Sequence, residues 1–294
     1  MPVMNSGVLF ALGAYLSWGL FPLYFRQIAT IPALQIVAHR TLWSLVFVAI
    51  VMLVLGRLAW LKDVSAATWR RFALSASLIA INWLTYVWAV GHNHVIDASL
   101  GYFINPLVNV ALGFAVLHER PRRAQWFAVG LAAFGVLWLT VAAGRLPWVA
   151  LVLAVSFGFY GLMRKTAALG ALEGLSLETL VLAPLALAGM IWWSQDGSLT
   201  GQTAVDWAWL IGTGPVTAGS LLLFAAGARR IPLATLGIVQ YVSPTLQFLL
   251  GVFLFHEPMD ASRLVAFGFI WSALAVYSAE GLWQTRRALV AKPL

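Results

Sequence analysis

Two charged residues stand well inside apolar runs of this sequence: Arg40, some six residues from one end of its run, and Glu178, the one acid clearly within such a run. They lie 138 residues apart. An arginine so placed recognises an anionic or carboxylate-bearing ligand, holds a gate, or snorkels to an interface and bonds helix ends. A lone carboxylate at depth is a candidate proton carrier. Around them stand uncharged polar groups: Asn82 beside Trp83, Asn105 with Pro106 and Asn109, and Gln240 and Tyr241 with Pro244 and Thr245. Proline lacks an N–H, frees a backbone carbonyl and kinks a helix, so Pro106 and Pro244 predict two kinks framing one central cavity. The alternative role for these polar residues is hydrogen bonding between helices. Trp18, Trp88, Tyr102 and Tyr241 would supply an aromatic lining, although each is first of all hydrophobic area.

Other chemistry is thinly represented. His92, His94 and Asp97 fall in a polar cluster, GHNHVID, that reads as a solvated turn and not as a metal site. There is no H-E-x-x-H, no G-x-x-x-x-G-K-[ST] phosphate loop, no nucleophile motif around a Ser and His pair, and no cysteine. No catalytic residue, metal or resident cofactor is therefore expected.

The elements that must position these residues are helices in a bilayer. Of 294 residues 62% are hydrophobic and 10% charged, and the mean hydropathy is +0.88, far from the roughly one-quarter charged content of soluble domains. Runs of roughly 20 apolar residues, the length that crosses a bilayer core, fall at 6–25, 34–55, 72–91, 95–117, 125–143, 147–163, 176–193, 206–227, 234–255 and 264–282. They are apolar all round, unlike the alternating segments of about ten residues in a β-barrel. The first run has no positive flank and no cleavage site, so it reads as a retained span and not a signal peptide.

Basic residues mark cytoplasmic joints. With the N-terminus inside, the inner joints carry 14 of the 18 (Arg57, Lys62, Arg70, Arg71; Arg120, Arg122, Arg123; Arg164, Lys165; Arg229, Arg230; Arg286, Arg287, Lys292), the outer joints three (Arg26, Arg145, Arg263), and Arg40 is the remaining one. Both termini are thus expected inside. The same distribution accounts for the net charge of +8 without a nucleic-acid partner.

The chain also resembles itself. LGYFINPLVNVALGFAVLHER (100–120) matches LGIVQYVSPTLQFLLGVFLFHEP (236–258) at an offset of 138, pairing Pro106 with Pro244, Gly113 with Gly251, His118 with His256 and Glu119 with Glu257. One residue longer, WGLFPLYFR (18–26) matches FGFYGLMRK (157–165), and HRTL (39–42) matches LETL (177–180). Residues 1–145 and 146–294 then form two five-helix units. Because five is odd, the second enters the membrane inverted, a plan that recurs in secondary transporters with the site at the repeat interface.

ASLGYFINPLVN (98–109), HRTLWS (39–44), NWLTYVWAV (82–90), YGLMRK (160–165), TLGIVQYVSPTLQFLLG (235–251) and FIWSALAVY (269–277) together resemble the RarD branch of EamA-type proteins, in the drug/metabolite transporter superfamily. That resemblance spans essentially the whole chain and implies a ten-helix bacterial inner-membrane protein that moves a drug or metabolite. Many relatives have Gly where His118 and His256 stand, so neither histidine is given a role by analogy. The fold expected is an all-α integral membrane protein, two inverted five-helix repeats, monomeric or weakly dimeric in the lipid bilayer. Its expected function is alternating-access movement of a small molecule between the repeats, by export or as a permease, through Trp18, Arg40, Asn82, Trp88, Tyr102, Asn105, Gln240 and Tyr241. Glu178 is the coupling candidate if protons drive transport, since the first span holds no acid; facilitated diffusion needs none. An intramembrane enzyme acting on a lipid or small molecule is the alternative.

Overall fold

The computed structural model describes residues 6–118, 120–144, 146–199, 202–228, 230–231 and 239–290. Among them stand ten α-helices and no strand: α1 Ser6–Arg26, α2 Ala33–Val54, α3 Ala66–Gly91, α4 Val95–Leu117, α5 Arg123–Ala143, α6 Trp148–Lys165, α7 Ala171–Gln195, α8 Ala204–Ala228, α9 Val242–Leu249 and α10 Ala261–Val290. Eight are long and apolar enough to cross a membrane, and shorter apolar helices cover Trp148–Arg164 and Val242–Leu254. Glu119, Arg145, Arg229, Lys292 and residues 232–238, where the ninth expected run begins, lie outside the described residues.

Large apolar side chains face outward: Val54, Phe127, Val141, Leu185, Trp192 and Phe253 are all exposed. Small and polar ones pack inward beside large ones, with Ala11, Ser44, Ala76, Ser99, Ala150 and Ala154 at 0% exposure and Leu153 and Ile270 equally buried. This distribution suits lipid, in which helices gain by close approach and interhelical hydrogen bonds and not by hiding leucines from water. Two glycines mark where backbones touch. A Cβ on Gly101 in α4 would meet the Ala150 carbonyl oxygen of α6 at 2.7 Å, and one on Gly214 in α8 would collide with the Trp43 backbone of α2.

Helices from the first half of the chain pack mainly on helices from the second: α1 on α8 and α9, α2 on α7 and α8, α3 on α6 and α7, α4 on α6 and α9, and α5 on α10. The helices that bear Arg40 and Glu178, α2 and α7, pack directly on each other. Two helices extend past the apolar runs. Ser65 caps α3 by accepting from the Thr68 N–H at 3.2 Å, so Arg70 and Arg71 belong to its opening turns, and α7 begins at Ala171 and so includes Glu173. Apolarity measures the hydrocarbon layer, whereas backbone hydrogen bonding carries a helix on into the polar region.

The GHNHVID cluster breaks the chain as expected, with α3 ending at Gly91, Asn93 at φ +58° and α4 starting at Val95. Pro106 lies within α4, which stays helical on either side of it. At the matched position, Gln240 is helical, Tyr241 is a turn, and α9 starts at Val242 with Pro244 in its first turn, where a missing N–H costs little. After one π-helical turn, Leu250–Leu254, the chain leaves α9. His118 and His256 have φ of +53° and +51°. That left-handed backbone favours glycine, which explains why glycine suits this position.

Candidate functional site

Arg40 does not snorkel to an interface. It is 4% exposed, with its guanidinium carbon 4.1 Å from the Trp83 ring centre on α3 and 5.4 and 5.7 Å from those of Phe25 and Phe21 on α1. Tyr86 and Tyr102 stand close enough to interact with its charge electrostatically. Among the described residues, no acid forms an ion pair with it. Its Nε and the Tyr86 hydroxyl are both buried without a hydrogen-bond partner. Ring faces attract the cation but do not accept its in-plane N–H bonds.

Asn82 and Tyr102 border this cage and, with Asn105, tie α3, α4 and α6 together. The Asn82 amide donates to the Leu153 carbonyl at 3.1 Å and to Ser156 Oγ at 3.0 Å, while its oxygen accepts from the Tyr102 hydroxyl at 3.2 Å. Asn105 donates to the Ala154 carbonyl at 3.1 Å and accepts from Asn109 at 3.2 Å. Both asparagines are thus engaged by neighbouring helices.

Glu178 on α7 is 2% exposed and held from two other helices. Ser75 Oγ of α3 donates to it at 2.5 Å, the Tyr160 hydroxyl of α6 donates at 3.3 Å, and Arg164 Nη1 of α6 lies 3.8 Å away. Arg164 also donates to the Gly170 carbonyl at 3.3 Å and lies 5.5 Å from the Phe72 ring centre. Arg40 contacts Phe21 and Phe25; Glu178 contacts Tyr160 and Arg164. These are the residues paired by the 139-residue match of WGLFPLYFR with FGFYGLMRK, a signal present in the sequence but not used to find Phe21, Phe25, Tyr160 or Arg164. Ser75, Tyr86 and Phe72 had no such marker.

The remaining expected residues have partners of their own. Trp18 donates to Ser220 Oγ at 2.8 Å, and its carbonyl accepts from Gln247 at 3.1 Å, joining α1, α8 and α9. Trp88 stacks on His92 and His94 and leans on Trp148 at one end of the bundle. Tyr241 lies over Phe103 at 6.4 Å, with its hydroxyl buried and unbonded; Gln240 is half-buried beside it. Trp18, Trp88 and Tyr102 pack against the buried cluster that holds Phe21, Phe25, Trp83 and Tyr86, while Tyr241 packs against a second one.

Polar contacts tie each end of the bundle. At the end holding the α1–α2 and α3–α4 turns, Arg26 donates to Asn93 at 2.7 Å and Arg263 approaches Asp97 at 3.6 Å. His94 bonds Asp97 at 2.8 Å, so this His and Asp serve a turn; among the described residues no group suited to a metal ion occurs. Glu257, past α9, accepts from the Val95 and Ile96 N–H groups at 2.6 and 2.9 Å. It thereby caps α4, where a carboxylate meets free donors and the positive end of the helix dipole. Burial holds the Glu257 carboxyl above the usual carboxylate range, against the pull of these N–H groups. At the other end Arg122 meets Glu280 at 2.7 Å and Arg57 meets Glu173 at 3.9 Å.

Residues 5–141 match the model of the EamA-like transporter family. The protein RarD of Escherichia coli (strain K12) is 45% identical over 288 residues, covering 96% of this chain and 97% of its own. The protein RarD of Streptomyces exfoliatus is also 45% identical over 288 residues, covering 97% of this chain and 91% of its own. An uncharacterized transporter of Pseudomonas aeruginosa is 48% identical over 293 residues, 97% of each chain. A solved crystal structure shares the fold, with a TM-score of 0.63 at 19% identity over 94% of this chain and 98% of the other. With its apolar helices, the chain is a multi-pass membrane protein that belongs to the RarD branch of the EamA-like transporter family.

Proposed function

We propose that this protein is a secondary transporter of a small metabolite or drug, built from two inverted five-helix repeats, residues 1–145 and 146–294, with both termini inside a bacterial inner membrane. The observation that carries this reading is the matched setting of Arg40 and Glu178. Each sits on one of two facing helices, α2 and α7, and each is contacted by equivalent residues of α1 and α6. His118 and His256, matched at the same 138-residue offset, share the same left-handed backbone. Relatives named as transporters agree with the reading.

Alternating access follows from the ties at the two ends. Opening toward one side breaks Arg26–Asn93, Arg263–Asp97 and the Glu257 cap; opening toward the other breaks Arg57–Glu173, Arg122–Glu280 and Arg164–Glu178. Arg40 and the Tyr86 hydroxyl, both with open hydrogen-bonding capacity, supply a ligand site, and Glu178 is the candidate for coupling a proton. Because the chain contains no cysteine, single introduced cysteines report sidedness without background. Asp196→Cys should react with an impermeant maleimide from outside, and Lys62→Cys only after permeabilisation; the reverse pattern would refute the orientation. In proteoliposomes, a carrier redistributes solute without altering it, and formation of a new product instead would refute transport.

A further inference from the structure

We infer that the ligand carries a single carboxylate, which binds Arg40 and Tyr86, on an apolar body small enough to lie against Phe21, Phe25 and Trp83; this rests on the transporter reading above. Arg40 is the only buried cation among the described residues, and such a charge is retained within a membrane protein when an anion or a polar cavity meets it. Among the described residues neither an acid nor a carbonyl bonds to it, and the cage presents donors: the buried Nε–H and the unpartnered Tyr86 hydroxyl. Donors left open call for a ligand that only accepts, and a carboxylate offers two oxygens with about four lone-pair directions. One guanidinium balances one negative charge, which favours a monocarboxylate over a phosphate dianion. The surrounding walls are Trp83 and Phe25, at 4.1 and 5.4 Å from the guanidinium carbon, so they suit an apolar body and not a sugar. Glu178 makes the contrast: the matched position on α7 already has Ser75 and Tyr160 as donors and the Arg164 cation 3.8 Å away and needs no ligand.

One test does not depend on knowing the ligand. Phe25→Glu places a carboxylate beside Arg40, and Phe25→Gln controls for polarity. If Arg40 lacks an anion, Phe25→Glu is the more heat-stable of the two in purified protein, and the order reverses in an Arg40→Gln background. The same order in both backgrounds would overturn the inference. A second test measures binding to the detergent-purified full chain, using benzoate, phenylacetate and hexanoate, each against its primary amide, with sodium chloride and phosphate as inorganic controls. The expected result is binding of at least one carboxylate, about tenfold or more weaker for its amide and in Arg40→Gln, and retained in Arg40→Lys. Equal binding of acid and amide, a response to chloride or phosphate alone, or no binding by any of the three acids would overturn it. Flux of the bound acid in proteoliposomes separates the two readings. Binding without flux refutes the carrier and keeps the site, whereas flux indifferent to Arg40→Gln refutes the site and keeps the carrier.

Discussion

Gly174→Ala should disrupt the Glu178 site without changing any charge. A Cβ on Gly174 would overlap Arg164 Nη1 and stand 2.6 Å from its Cζ, so the guanidinium must leave the groove it occupies across α7. Leaving costs the 3.8 Å pairing with Glu178 and the bonds to the Gly170 and Ala171 carbonyls at 3.3 and 3.5 Å. Their lengths put each below the roughly 1.5–3 kcal/mol of a good bond to a charged group, and together they amount to about 2–3 kcal/mol. Alanine in a helix returns about 1 kcal/mol relative to glycine, which leaves a net destabilisation of about 1–2 kcal/mol by difference. In an Arg164→Ala background nothing occupies the groove, and the same substitution should stabilise by about 1 kcal/mol. Thermal or denaturant unfolding of the four purified proteins reads the cycle. The same sign of effect in both backgrounds would refute the placement of Arg164 over Gly174.

Three further outcomes follow from local geometry. Glu257→Gln removes the titrating group from the α4 N-terminus while keeping one of its two acceptors. Because burial raises the Glu257 pKa above its ordinary value of 4.5, the folded state holds the proton more tightly than the unfolded chain. The contribution of Glu257 is therefore greatest below that ordinary value and lost as pH rises through the raised one, and unfolding scans of Glu257→Gln should lack this component. His256→Gly should stabilise the protein by about 1 kcal/mol, since glycine adopts the positive φ without the penalty an L side chain incurs; unchanged or reduced stability would count against that backbone. Gly214→Ala, whose Cβ would stand 2.7 Å from Trp43 Cβ and nearer still to the Trp43 backbone, should cost about 3 kcal/mol or more and lower the yield of folded protein. Gly219→Ala in the same helix meets nothing within 4 Å and should be neutral or slightly stabilising.

Much of this protein is written in its sequence because a bilayer imposes a simple rule. A chain in hydrocarbon must satisfy its backbone internally, so apolar runs of sufficient length become helices, and positions 6–25, 34–55 and 95–117 were legible to within a few residues of α1, α2 and α4. The break at GHNHVID was legible too, because polar groups gather where chain meets water. The match at 138 residues marked Arg40 and Glu178, and its one-residue extension already paired Phe21 with Tyr160 and Phe25 with Arg164.

Depth and residue type could not say which side of a helix each group faces or what stands opposite. Trp18, Trp88 and Tyr241 are of types that suit a lining, and only packing gives them their partners on α8, at the α3–α4 turn and on α4. For Asn82 and Asn105 the sequence left cavity lining and interhelical hydrogen bonding open, and α6 takes up their donors. Ser75 gains its importance only because α3 crosses α7 at Glu178. The sequence by itself determined that the chain spans a membrane as helices and that Arg40 and Glu178 are matched. Only the tertiary structure decided that Glu178 is fully engaged while Arg40 lacks an anion, because partners 64–162 residues apart along the chain, such as Arg26 with Val90 and Glu257 with Val95, are chosen by helix packing and not by local spacing.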